Sequence, residues 1–282
     1  MKKIKNKNFE ITIKKHGAEL TSVLGYNHEY LWTGDPKFWN RHAPVLFPIV
    51  GAVKDGEYTV DGKEYKLSQH GFARDLDFKH IDESFDSVTY AITYSDDTLK
   101  VYPFKFSLEI EYVLTDNELQ ITYNVKNLDD KTIYYSVGAH PGFNIENIND
   151  YTLSIDGEYN IYDLDAGYIG EKTLNQKGDV ICSKEFFEPG AFIYEPKGEK
   201  VLTLNYKDNP YISMEYKDFE LMGVWTPEGK EAPFLCLEPW NGIADFNSRD
   251  NKEFIKKDFI QSLDQGQSKA STYTIKFFKK EK

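Results

Sequence analysis

Two histidines and a glutamate stand where strand-like patterns give way to turns. His70 lies in LSQHGFARD (67–75), His140 in GAHPGF (138–143), and Glu238 closes the apolar run of APFLCLEPWNG (232–242). An imidazole changes charge close to neutral pH. A carboxylate at the end of an apolar strand must either find a partner or shift its pKa. Residues of these types, held on strand ends by a rigid scaffold, suit positioned proton transfer. The plainer alternative for each histidine is a structural hydrogen bond, and for Glu238 a buried ion pair.

Arg41, in FWNRHAPVLFPIVG (38–51), and Arg74, in the His70 segment, add forked donors that can hold either a buried carboxylate or the oxygens of a ligand. Of the four tryptophans, Trp32 and Trp39 read as core. Trp225 in GVWTP and Trp240 in EPW fall where strands turn. An indole there, beside polar groups, offers a surface to the apolar face of a sugar.

The elements that must carry these side chains have a period of two. In SLEIEYVL, Leu108, Ile110, Tyr112 and Leu114 share a face, and in LQITYNV Leu119, Ile121, Tyr123 and Val125 do the same, with TDNE between them. That is a hairpin pattern. Asp61-Gly62, between Tyr58/Val60 and Tyr65/Leu67, marks a second hairpin, because Asp-Gly suits a tight turn of positive φ. The 20 tyrosines and 19 phenylalanines favour strands as well. Only 251–263 (NKEFIKKDFIQSL) has helix-like spacing, and it predicts a short peripheral helix. Residues 144–200 read as less regular, with long excursions. No strand–helix alternation is present, so the expectation is an all-β, antiparallel, two-layer architecture in one domain over 1–282.

A net charge of −12 over 282 residues opposes binding to nucleic acid and to anionic membrane. Cys182 and Cys236 form no CxxC spacing and read as reduced, buried thiols. With no apolar run near the roughly 20 residues needed to cross a bilayer and no signal-like leader, the expected setting is the cytoplasm.

In order along nearly the whole chain, RHAPVLFPIVG, HGFARD, YPFKF, GAHPGF, CLEPWNGIAD and LDQGQS resemble the aldose 1-epimerase (galactose mutarotase) superfamily, most closely its LacX-like branch. The resemblance implies a β-supersandwich of twisted antiparallel sheets whose concave face holds a sugar. By motif, His140 would be the general acid, Glu238 the general base, and His70 a second imidazole that positions or protonates the ring oxygen. Arg41 and Arg74 would contact sugar hydroxyls, or a phosphate in the hexose-6-phosphate branch. The sugar-binding aspartate of the galactose mutarotase branch has no match here.

The expected activity is therefore interconversion of the α and β anomers of an aldohexose, free or phosphorylated, by a monomer or homodimer, with no metal or organic cofactor required. Two other readings use the same residues. The histidines and Glu238 could hold zinc in a metallohydrolase, or the aromatic floor and Arg41 could serve a non-catalytic sugar-binding or sensing protein.

Overall fold

The structure, a computed structural model, describes residues 1–188 and 190–280. Two large antiparallel sheets organise it. The first has nine strands, in the order Val180–Ile181, Tyr151–Ile155, Val201–Tyr206, Asn209–Glu215, Ser268–Phe277, Glu118–Asn127, Phe106–Thr115, Ser87–Thr93 and Lys79–Glu83. The second runs Tyr168–Lys177, Glu158–Asp165, Phe192–Pro196, Leu221–Trp225, Phe234–Asn241, Val137–Ala139 and Val45–Leu46, and Gly142–Asn144 also pairs with Phe234–Asn241.

Alternation decides how the sheets pack. In the 106–127 hairpin, Leu108 faces Val125, Ile110 faces Tyr123, Tyr112 faces Ile121 and Leu114 faces Leu119. All eight are buried. Each such side chain contributes about 1.5–3 kcal/mol on burial, and a one-residue slip would turn the whole set to solvent. The Asp61-Gly62 hairpin forms between Glu57–Val60 and Lys63–Lys66, with positive φ at both turn residues.

The second sheet is buried on both faces. Leu235 and Leu237, with Met222, Val224 and Tyr194, join the main core shared with the nine-stranded sheet. Alternate residues of the same strands, Phe234, Cys236, Leu221, Ile193 and Trp240, belong to two smaller clusters on the other face. Glu238 shares that second face by parity.

Three sequence expectations are corrected. Residues 251–263 form no helix: a single 3-10 turn covers Phe254–Lys256, and Gln261–Leu263 is a strand paired with Ile133–Tyr135. The apparent helical stripe is split, since Phe254 enters the main core, Phe259 packs on the smaller one at φ +55, and Ile255 faces solvent. The 144–200 region is richer in strands than expected and includes the Glu158–Asp165/Tyr168–Lys177 hairpin. Two register shifts in that hairpin break the alternation that would have announced it. Finally, the strand carrying Glu238 does not end there; it continues through Pro239 and Trp240 to Asn241.

Candidate active site

The strand Phe234–Asn241 pairs on one side with a chain that passes through His140. Val137 faces Asn241 and Gly138 faces Trp240; beyond the interruption Gly142 faces Cys236 and Phe143 faces Leu235. The register is unchanged across the gap, so His140 stands directly opposite Glu238. Pro141 and Pro239 remove two backbone donors at this point, and prolines inside a sheet sit where the ladder is interrupted. The two side chains meet: His140 Nε2 lies 3.2 Å from Glu238 Oε2. The contact is not an aligned hydrogen bond, since Glu238 Oε2 is buried and makes none, and His140 Nδ1 on the far side of the ring makes none either.

Glycines make the room. A Cβ on Gly138 or Gly223 would come within 2.7 Å of the Trp240 ring, and these residues flank Trp240 and Glu238 on the neighbouring strands. Without those side chains the indole can lie across the sheet. Trp240 is therefore buried, and not at an exposed strand end as its EPW context suggested, but it still lines the cleft. Trp225 is half-buried at the end of its strand, as expected, and its ring lies edge-on to His140 at 5.4 Å.

Trp39, read as core, is half-buried and packs against both the imidazole, at 4.9 Å with the planes 31° apart, and the Trp225 ring, at 5.6 Å. It belongs to the cleft. Its setting among Phe38, Arg41 and a long apolar run hid this, since the segment containing it is irregular and carries no period to reveal which way a side chain points.

His70 reaches the same place from a turn. Its φ is +65, and Gly71 follows at +69 with the Phe47 carbonyl 2.3 Å from where a Cβ would stand. Positive φ is uncommon outside glycine, although His is among the residues that tolerate it. The backbone of Gly51 then dictates the chemistry of the ring. His70 N–H donates to Gly51 O at 2.8 Å, and Gly51 N–H donates to His70 Nδ1 at 3.1 Å. An Nδ1 that accepts carries no proton, so the neutral ring holds its proton on Nε2. His70 and His140 lie 5.6 Å apart, nearly perpendicular.

Arg74 donates to Gln69 O at 2.7 Å, closing the loop around His70, and its buried Nε makes no hydrogen bond, with Asp75 Oδ2 3.8 Å away. Arg41 is less free than expected, because its Nη2 donates to Asp75 at 2.8 Å. Arg74, His70, His140, Glu238, Trp39 and Trp225 line one cavity of about 290 Å³, and Arg41 is not part of its wall. A larger hollow of about 580 Å³ has five glutamates in its wall and no imidazole, so it cannot supply the same acid–base chemistry.

Burial sets the electrostatics. It pushes His140 down to about 3, with the Arg74 and Arg41 charges acting in the same direction, and lowers His70 well below the usual imidazole range. It raises Glu238 well above the usual carboxylate range. The neutral form is favoured for all three. Asp245, which accepts from Lys54 N–H and from buried Lys257 and whose own N–H donates to Ala52 O, anchors the 51–54 loop that orients His70.

The zinc set considered from the sequence does not assemble as two histidines and Glu238, since His70 Nδ1 is committed to Gly51. The described residues that bring potential metal-ligand atoms within 4.8 Å of one another are His140, Cys236 and Glu238.

Among the described residues seven buried side-chain polar atoms lack a protein partner, and four of them, on Arg74, His140, Glu238 and Trp240, converge on this cleft. Such an atom costs about 1–3 kcal/mol unless something satisfies it. The clustering leaves four polar groups open toward one cleft, where water or a polar ligand can satisfy them.

The nearly all-β architecture of antiparallel sheets is that of the galactose mutarotase-like proteins. A structure of a galactose mutarotase-related enzyme from Lactobacillus acidophilus superposes with a TM-score of 0.95 at 32% identity, covering 99% of this chain and 97% of the other. A galactose mutarotase-like protein from Lactobacillus casei gives 0.93 at 31%, covering 99% and 100%. The chain belongs to the aldose 1-epimerase family, whose model matches residues 2–276. It is also 28% identical over 263 residues to the protein LacX of Lactococcus lactis, spanning 86% of this chain and 87% of that one. Among the described residues no helix is long and apolar enough to cross a membrane.

Proposed function

We propose that this chain is a mutarotase, a single sugar-binding domain that interconverts the α and β anomers of an aldohexose. The observation that carries the reading is the His140–Glu238 pair, opposed across one register position and surrounded by unpartnered polar atoms. The cavity of about 290 Å³ lies just below the usual range for drug-sized ligands and suits a solute of about a dozen heavy atoms. Trp39 and Trp225 offer aromatic faces to the apolar side of the ring.

In this reading the pair carries one transferable proton. Glu238 as carboxylate takes the proton from the C1 hydroxyl while His140 as imidazolium gives its proton to the ring oxygen. The C1–O5 bond breaks, C1=O forms, the aldehyde turns about C1–C2, and the reverse transfers close the ring on the other face. A low-pKa imidazolium beside a high-pKa carboxylate is a strong acid beside a strong base. Ring opening leaves both neutral, the state that burial favours. His70, with its proton on Nε2, donates a hydrogen bond to the ring oxygen or a neighbouring hydroxyl and does not act as a charged acid. Arg74 supports a phosphorylated hexose as a second reading, because it lines the cleft and its Nε, 3.8 Å from Asp75, makes no hydrogen bond; Arg41, bonded to Asp75 and outside the cavity wall, adds little to that case.

Polarimetry on freshly dissolved α-glucose, α-galactose and their 6-phosphates, with the wild type and Glu238→Gln, tests the proposal. Acceleration of at least one sugar that is lost in the variant is expected. Saturable sugar binding without acceleration would instead leave a binding protein.

A further inference from the structure

Cys236 plays no part in the proposed chemistry, yet it stands beside it. It lies two residues before Glu238 on the same face of the strand and opposite Gly142, two residues after His140. A Cβ on Gly142 would stand 3.4 Å from Cys236 Sγ. With glycine at that position the neighbouring strand puts no side chain beside the thiol. One ligand atom from each of His140, Cys236 and Glu238 can be chosen so that all lie within 4.8 Å of one another, and all three residues are buried.

Tetrahedral zinc holds its ligands at about 2.0–2.3 Å, which places ligand atoms about 3.3–3.8 Å from each other. The imidazole and carboxyl atoms, at 3.2 Å, lie just inside that spacing. The thiol lies within 4.8 Å of both and has to close by at most about 1 Å to reach tetrahedral spacing. Three protein ligands with a fourth position facing a cavity is the arrangement of an open zinc site. A thiolate with an imidazole selects zinc and similar thiophilic metals, whereas magnesium and calcium prefer all-oxygen sets.

We propose that His140, Cys236 and Glu238 form a site for a thiophilic divalent cation, Zn²⁺ above all, which competes with the sugar by engaging the acid and the base together. The competition rests on the mutarotase reading; the binding does not. On binding, the thiol proton and any proton on the Glu238 carboxyl are released to solvent as the Zn–S and Zn–O bonds form, with no change of oxidation state. His70 stays outside the set because Gly51 N–H holds its Nδ1. The second ring nitrogen of His140 has no protein partner to steady it. Zinc ligands ordinarily have such a partner, and its loss typically lowers affinity about 10–100-fold. The site is therefore a reversible, inhibitory one.

Co²⁺ reports the ligands directly, since a bound thiolate gives a charge-transfer band in the near ultraviolet. Chelator-treated wild-type protein titrated with Co²⁺ is expected to develop that band at one equivalent per chain and to lose it when Zn²⁺ is added. Cys236→Ser, with Cys236→Ala as a second variant should serine destabilise the strand, is expected to lack the band. Either variant should accelerate mutarotation as the wild type does in metal-free buffer, with Zn²⁺ inhibition weakened at least tenfold. Cys182→Ser should behave as wild type. Absence of the band in the wild type, or its persistence in folded Cys236 variants, would overturn the site. Zn²⁺ inhibition equal in wild type and Cys236 variants would overturn the competition. If no sugar is turned over, the mutarotase reading fails while the Co²⁺ titration still decides the metal site.

Discussion

The three buried titratable groups of the cleft pull stability in opposite directions with pH. His70 and His140 are held neutral in the fold but are free to charge in the unfolded chain, so below about 6.5 the unfolded state binds more protons and stability falls as pH falls. Glu238 does the reverse: with its folded pKa raised, the native state holds a proton that the unfolded chain gives up above about 4.5, and stability falls as pH rises toward the folded value. Glu238→Gln should therefore unfold at a higher temperature than the wild type near pH 8 while its kcat drops about 10²–10⁴-fold. Calorimetry beside polarimetry reads both, and equal melting temperatures would show that the carboxyl is not held neutral. His70→Asn should keep the fold, because asparagine tolerates positive φ and its amide oxygen can accept from Gly51 N–H. It loses the Nε2 donor, so kcat should fall while the melting temperature at pH 5 rises relative to wild type. A pH–stability curve as steep as the wild type's would contradict the assignment.

At the scale of the strand, the cleft depends on missing side chains. Gly138 and Gly223 leave the space that Trp240 fills, and Gly142 leaves that beside Cys236. Gly223→Ala would drive a methyl group into the indole, and overpacking of this kind costs about 1–3 kcal/mol. The displaced ring would push toward Glu238, which Gly223 faces. Urea unfolding and mutarotation rates should therefore fall together in this variant. Loss of stability with an unchanged rate would mean that the indole yields away from the cleft.

Across the whole molecule, segments far apart in sequence meet in one anchor. Asp245 holds the 51–54 loop through Lys54 N–H and Ala52 O, and accepts from Lys257 Nζ at 2.7 Å. Lys257 is 3% exposed and its ammonium is pushed down by burial. Asp245→Ala would leave that ammonium without its counter-charge, which for a buried pair costs about 3–5 kcal/mol. A lower melting temperature and a weaker kcat, through a loosened Gly51–His70 contact, are expected. Lys257→Met in the Asp245→Ala background should recover much of the stability, since it removes the stranded charge.

Strand formation and the identity of the hairpins were legible in the sequence, because period two and Asp-Gly turns act locally. So were His140, Glu238, His70 and Arg74, each beside a proline, a glycine or an apolar run that constrains its backbone. The six ordered motifs carried the family. Register and the third dimension decided the rest. His140 opposes Glu238 only because two stretches of chain about a hundred residues apart keep one register through an interrupted ladder. Trp39 enters the cleft from an irregular segment that no period describes, and Cys236, an unremarkable thiol in the sequence, becomes a neighbour of the pair because Gly142 offers no side chain. Phe254 and Phe259 imitated a helix and went to separate cores, since the free energy of burial depends on where a side chain arrives and not on its spacing along the chain.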